Sequence, residues 1–207
     1  AADSQGVQGE NIVALCDIDT NYLDRAKARF KDARTYVDYR EMIEAEAGRI
    51  DAVVVGTADH HHAPAALRAI NKGLHVYVEK PDSHNIVEGM RMVAALKKHK
   101  RVCQMGSQHR STKRMQTALE YIKTGALGRC LVAKAWESSR QGAIGFPKDG
   151  VAPAGVNYDM WCGAAPKRPF NVNRFHGRWR WFFDYGTGDL GNDGVHRLDM
   201  AVGSTRQ

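Results

Sequence analysis

The sequence predicts an α/β fold, a doubly wound parallel sheet followed by a second region of different architecture. Three observations carry the first half of that expectation. Between residues 11 and 106 short β-rich runs alternate with segments of helical periodicity. The runs are almost continuously apolar, as strands covered by helices on both faces are. Beyond about residue 106 the composition shifts towards Trp, Arg, Pro, Asn and Gly, and the alternation stops.

The elements follow in order. Ile12–Cys16 reads as a strand, and Tyr22–Ala33 as a helix with Leu23, Ala26 and Phe30 on one face. Tyr39–Glu46 is a second helix, Ala52–Gly56 a strand, and Pro64–Lys72 a helix that Gly73 terminates as a C′ residue. His75–Glu79 is a strand, Ile86–Lys98 a helix opened by the capping-box pattern Asn85-x-x-Glu88, and Val102–Met105 a strand. The second region holds an amphipathic helix over Lys113–Thr124, a strand over Cys130–Trp136 and a Gly- and Pro-rich loop over Gly142–Gly155. An irregular stretch then runs to Trp181, with a turn at Gly186–Asp189 and a helix over Asp193–Ala201. The division falls near residue 110, giving domains over 1–110 and 111–207.

Composition narrows the class. The 207 residues are 43% hydrophobic and 26% charged, ordinary for a globular protein with a substantial core. No apolar run approaches the roughly 18 residues of a membrane helix, so no membrane partner is expected. The net charge of +7 is spread over amphipathic helices (Arg25, Lys27, Arg29, Lys31) and Lys97–Arg101 without a recognition motif. That suits anionic small ligands rather than nucleic acid. Cys16, Cys103, Cys130 and Cys162 form no C-x-x-C pair and read as free thiols, which favours a reducing, cytoplasmic setting.

Glu79-Lys80-Pro81 stands at the exit of an apolar strand, the edge of an open α/β sheet where ligands bind. Pro81 confines Lys80 to extended conformations and keeps it out of the next helix. A solvated charged pair closing the strand is the competing reading. Asp17 follows the first strand directly, where a carboxylate accepts ribose hydroxyls and repels a 2′-phosphate, favouring NAD over NADP; Asp17 or Asp19 could equally cap the next helix. After the next strand come Thr57, Asp59 and three histidines, His60 to His62. Adjacent residues do not converge on one ion, so no metal is expected; imidazoles here suit a cofactor or substrate, or a solvated loop. Downstream, Asn192 and Asp193 lie four and three residues before His196, spacings that share a helix face and suit a proton-transferring histidine. An exposed helix start with capping residues is the alternative.

Taken together these segments resemble the glucose–fructose oxidoreductase/inositol dehydrogenase (Gfo/Idh/MocA) family. The resemblance rests on Thr57-x-Asp59-His60-x-His62, Glu79-Lys80-Pro81, Gln104-x-Gly106-x-Gln108 and Trp161-x-Gly163-x-x-Pro166, followed by Gly188-x-Leu190-Gly191…Gly194-x-His196-x-x-Asp199. It implies an N-terminally truncated NAD(P)-binding Rossmann domain, with NAD preferred, followed by the start of an α/β substrate domain with an open, mostly antiparallel sheet, and a sugar- or polyol-like substrate. It puts Lys80 near the nicotinamide and substrate and makes His196 the proton donor or acceptor, with Asn192 and Asp193 beside it. It places Asp17, Thr57, Asp59, His60, His62, Glu79, Lys80 and Gln108 around the cofactor. Trp161, Arg180 and Trp181 are candidates for the sugar face.

Two departures are visible: Ala58 replaces the family's usual proline, and Asn192 stands where an acid is common. The first strand with its Gly-rich turn is not found before Ile12, and the tail after Val202 stops as a helix begins, so a fragment of a longer protein is expected. The expected activity is hydride transfer between NAD and a sugar, polyol or related hydroxylated ring. A glycoside hydrolase of the same fold acting by transient oxidation, and a non-catalytic nucleotide- or sugar-binding fragment, are the rival readings. Full-length relatives of this kind form homo-oligomers, and some are exported to the periplasm by an upstream signal peptide.

Overall fold

The computed structural model describes residues 9–136 and 141–205; the last two residues of the tail, Arg206 and Gln207, lie outside them. Two parallel ladders form. β1 (Ala14–Cys16) pairs with β2 (Arg34–Tyr36), with Leu15 opposite Thr35. β3 (Ala52–Val55), β4 (His75–Val78) and β5 (Cys103–Met105) form a three-stranded sheet in that order, Val55 opposite Val78 and Val78 opposite Met105. Because every pair is parallel, the carboxyl ends within each sheet share one edge, where Asp17, Thr57 and Glu79 emerge.

Helices α1 (Thr20–Arg29), α2 (Tyr39–Glu46), α3 (Asp59–Asn71) and α4 (Ile86–His99) connect these strands. Ile43, Ala66, Ala69 and Ile70 are fully buried against Val55, Val76 and Val78, which closes the main core. Each large aliphatic residue there contributes about 1.5–3 kcal/mol by leaving water. Among the described residues no helix is long and apolar enough to cross a membrane. The four cysteines are free, with Cys162 buried and the others partly buried.

Several boundaries moved for local reasons. α1 starts at Thr20 because Asp19, rather than Asp17, caps it, accepting the Asn21 amide at 2.9 Å. α3 starts at Asp59, five residues before Pro64, so the three histidines lie in its first turns instead of on a loop. An acidic residue at a helix start interacts favourably with the exposed amides there. β2 escaped notice because Arg-Thr-Tyr carries no apolar signal; the buried carboxylate of Glu46 organises it. Glu46 is 0% exposed, is paired with Arg34, and accepts from the Tyr36 hydroxyl at 2.6 Å.

Those two partners hold the Glu46 carboxyl at about 2, against an ordinary 4.5. A carboxyl depressed in the folded state stabilises above its unfolded value and loses that contribution as pH falls towards the folded one. Stability is therefore expected to drop between about pH 4.5 and pH 2, and denaturant melts of Glu46→Gln should show a flattened acid limb over that window. An unchanged limb would remove Glu46 from acid stability.

After β5 the chain forms a 3₁₀ turn (Gln108–Ser111) and α5 (Lys113–Lys123), then α6 (Tyr158–Cys162) and α7 (Val195–Thr205). The expected strand Cys130–Trp136 is not formed: no strand partner for it occurs among the described residues, and Leu131, Val132 and Trp136 are left exposed. β-rich side chains make a strand only where a second edge accepts their backbone. The expected helix at Asp193 is split into a π-helical turn over Leu190–Gly194 followed by α7. Residues 150–186 fold back on the first region. The Asn157 amide donates to the Ile18 carbonyl at 2.8 Å, Asp19 bridges to Val156, and Trp161, Phe175, Trp179 and Tyr185 bury themselves beside Ala58.

Candidate active site

The Glu79-Lys80-Pro81 turn is held from three sides. The Glu79 amide donates to the Val55 carbonyl at 2.9 Å, and the Gly106 amide to Val78 at 2.8 Å. The Glu79 carboxylate lies against Gly106, where a Cβ would come within 2.8 Å of it, so a larger residue there would push that carboxylate aside. The Lys80–Pro81 peptide is cis. The ring of His62, almost fully buried, reaches the Pro81 carbonyl through Nδ1 and the Thr57 carbonyl through Nε2 at 3.0 Å. An imidazole donates to one such carbonyl when neutral and to both when protonated.

From this turn Lys80 Nζ donates to the backbone carbonyl of Asn192 and to its Oδ1 at 3.0 Å. Arg180 Nε donates to that same Oδ1 at 3.0 Å. One amide oxygen thus holds two cations, which an amide can do because it carries two lone pairs. Burial, and then Arg180, lower the Lys80 pKa, while Asp193, Asp59 and Glu79 act to raise it.

His196, in the first turn of α7, is 8% exposed. Its ring stacks on that of His109 from the 3₁₀ turn, with centroids 4.4 Å apart and planes at 20°. His196 Nδ1 is buried and has no hydrogen-bond partner in the structure. An open cavity beside it is lined by Arg114, Asp193, Arg197 and Met200. Burial lowers the His196 pKa first, then His109 and Lys80, against the opposing pull of Asp193 and Glu79, so the neutral imidazole is favoured.

The remaining candidates have structural partners. Asp59 accepts from the Thr187 amide at 3.1 Å and hydroxyl at 2.8 Å, fastening α3 to the turn before the π-helical segment. His60 faces the carbonyls of Trp161 at 2.8 Å and Tyr185 at 3.2 Å, and burial, followed by His61, brings its pKa down to about 4. Trp161 is buried between His60, Phe175 and Tyr185, whereas Trp181 and Gln108 are exposed. Thr57 is exposed at the β3 exit.

Asp17 stands at the exit of β1, in the other sheet, half-buried, its Oδ1 accepting the Asp19 amide at 3.0 Å; burial raises its pKa. His176, in a left-handed conformation with φ of 48°, reaches Asp19 at 3.1 Å and packs on Tyr22. The structure therefore gathers Lys80, Glu79, Arg180, Asn192, Asp193 and His196 at one place and Asp17 at another. Sequence reasoning passed over His109, Thr187 and His176. Only His109 had a signal, one residue past the Gln104-x-Gly106-x-Gln108 motif.

Known proteins resemble this chain in sequence and fold. The inositol 2-dehydrogenase 4 of Saccharopolyspora erythraea is 30% identical over 141 residues, 68% of this chain and 41% of that protein. A levoglucosan dehydrogenase of Pseudarthrobacter phenanthrenivorans is 28% identical over 177 residues, 85% of this chain and 38% of that protein. The chain thus spans about two fifths of the length of these relatives. The crystal structure of the WlbA dehydrogenase from Bordetella pertussis, in complex with NADH and UDP-GlcNAcA, shares the fold with a TM-score of 0.66. That superposition covers 91% of this chain and 45% of the other at 24% identity. Residues 2–107 match the NAD-binding Rossmann fold of the GFO_IDH_MocA oxidoreductase family and residues 129–202 match its C-terminal alpha/beta domain, so the chain belongs to that family.

Proposed function

We propose that this chain carries the nucleotide-binding and proton-transfer machinery of an NAD-dependent oxidoreductase. It would move hydride between the nicotinamide and a hydroxyl-bearing carbon of a sugar, polyol or related ring. The observation that supports this best is the convergence of Lys80, Asn192 and His196 beyond the carboxyl end of β4. The exit of β1 suits the cofactor. Asp17, half-buried at the β1 exit and engaged through Oδ1 only with its own turn, offers acceptor capacity for ribose hydroxyls.

When bound, the nicotinamide supplies the hydride acceptor or donor. The chain's residues manage the proton. His196, kept neutral by burial and its cationic neighbours, takes the substrate hydroxyl proton on a ring nitrogen. Lys80 donates a hydrogen bond to the reacting oxygen, and Asn192 aims its ammonium through two oxygens. Arg180 holds Asn192 from the opposite side and, with Trp181, offers a polar and aromatic face to a ring substrate. The domains divide near residue 110, and the assembled protein is a homo-oligomer in a reducing, cytoplasmic compartment.

Calorimetry with NAD and NADP, on this chain and on any longer protein containing it, tests the reading. NAD is expected to bind at least roughly tenfold tighter than NADP, about 1.4 kcal/mol, with Asp17→Ala narrowing the gap. Incubation with a sugar and polyol panel should then accumulate NADH. Sugar release without NADH would instead assign a redox-neutral hydrolase, and binding of neither dinucleotide would end the redox reading.

A further inference from the structure

We propose that His109 is a positioning residue for His196, fixing by face-to-face contact the plane in which that imidazole meets substrate; the role rests on the proposed oxidoreductase reading. The two rings are 4.4 Å apart and 20° from parallel, at the close limit of aromatic stacking. His109 is exposed and His196 is 8% exposed, so the outer ring covers one face of the inner one.

The contact is built in rather than incidental. The next residue, Arg110, grips Asp199 of α7 with both of its forks, Nε to Oδ2 at 2.6 Å and Nη2 to Oδ1. Asp199 lies three residues beyond His196, one face of the same helix, so the pairs 109/196 and 110/199 lock the 3₁₀ turn to α7 at two adjacent levels. His196 needs such a device. Its Nδ1 is buried with no hydrogen-bond partner in the structure, so no carboxylate or carbonyl on that nitrogen holds the ring in orientation, as one does in many proton-transferring histidines.

The stack also bears on protonation. Positive charge on a ring this close opposes protonation of its neighbour, and His109 acts to lower the His196 pKa. The other charged groups about His196 are Lys80 and Glu79 from the β4 exit, Asp193 from the π-helical turn, Arg114 from α5 and Arg197 from α7 itself. The Arg110–Asp199 pair stands one turn further along. Of the groups that shift His196, Asp193 and Glu79 favour its charged form, while Lys80 joins His109 in opposing it.

The test compares His109→Ala, which removes ring and charge, with His109→Phe, which keeps the ring. Two readouts are taken on the intact protein: the NMR titration midpoint of the His196 imidazole, and the pH profile of kcat with whichever sugar or polyol is turned over. The alanine variant should move the His196 midpoint, and with it the acid limb of kcat, upward by about half a pH unit or more, a roughly threefold change in the protonation constant. It should also lower kcat at the optimum about tenfold or more, a loss that the phenylalanine variant recovers to within about threefold. An unmoved midpoint in the alanine variant, or a phenylalanine variant as impaired as the alanine one, overturns the proposal. A midpoint moved by the alanine substitution, in a protein whose wild type turns over no sugar or polyol, supports the stack and overturns the oxidoreductase reading instead, so the two failures are distinguishable.

Discussion

Lys80→Ala is expected to lower turnover by about 10²–10⁴-fold while leaving the NAD dissociation constant within about threefold of the parent. The asymmetry follows from where the ammonium points. Its bonds go to the Asn192 backbone and side-chain oxygens, on the His196 side of the site, while the ribose contacts are proposed for Asp17, at the exit of β1 in the other sheet. Lys80→Arg should not rescue activity, because a guanidinium is planar, longer and never neutral, and Arg180 already occupies the other approach to Asn192 Oδ1. Burial and Arg180 lower the Lys80 pKa, so its loss as a proton-sharing group should also alter the alkaline limb of the pH profile. Paired calorimetry and steady-state kinetics on the variant decide the matter; parental kcat would sink the assignment of Lys80.

Gly163→Ala is expected to cost about 3 kcal/mol or more of stability and to lower Tm by roughly 10 °C. Gly163 closes α6 with φ of 55°, a region L side chains avoid, and an added Cβ would lie 2.3 Å from His61 Cε1 and 2.6 Å from its Nε2. His61 has no room to yield. It is 8% exposed, its Nε2 bonds the Trp161 carbonyl at 3.0 Å, and the His60 and Tyr39 rings pack on it. Gly48, with nothing within 4 Å of a Cβ and an ordinary φ, is the matched control and should tolerate alanine. Thermal melts that show equal changes for the two substitutions would contradict this account of the α6 junction.

The two sites differ in how far the sequence announced them. Glu79-Lys80-Pro81 was readable because a charged residue at the end of Val76-Tyr77-Val78 breaks the apolar pattern, and a following proline fixes its conformation. Asn192 and His196 were readable as a helix-start pair, although the π-helical turn replaced the expected i,i+4 geometry and sent Asn192 to Lys80. The histidine run was only half readable. Its residues stood out, but their placement in α3 depends on Asp59 meeting Thr187 and on His60 meeting Trp161 and Tyr185, contacts more than 100 positions away in sequence.

By itself the sequence determined the parallel strand–helix alternation of the first half, the lysine at its ligand edge and the downstream histidine, because apolar periodicity and turn chemistry are local properties. It also determined the family, whose motifs keep their order along the chain. The tertiary structure alone decided that β2 exists around the buried Glu46 and that Cys130–Trp136 does not pair. It alone decided that Arg180 shares an acceptor with Lys80 and that His109 covers His196. Each of those outcomes depends on a partner supplied from elsewhere in the chain, and hydrogen bonds, ion pairs and stacked rings leave no periodic trace in the segments that make them.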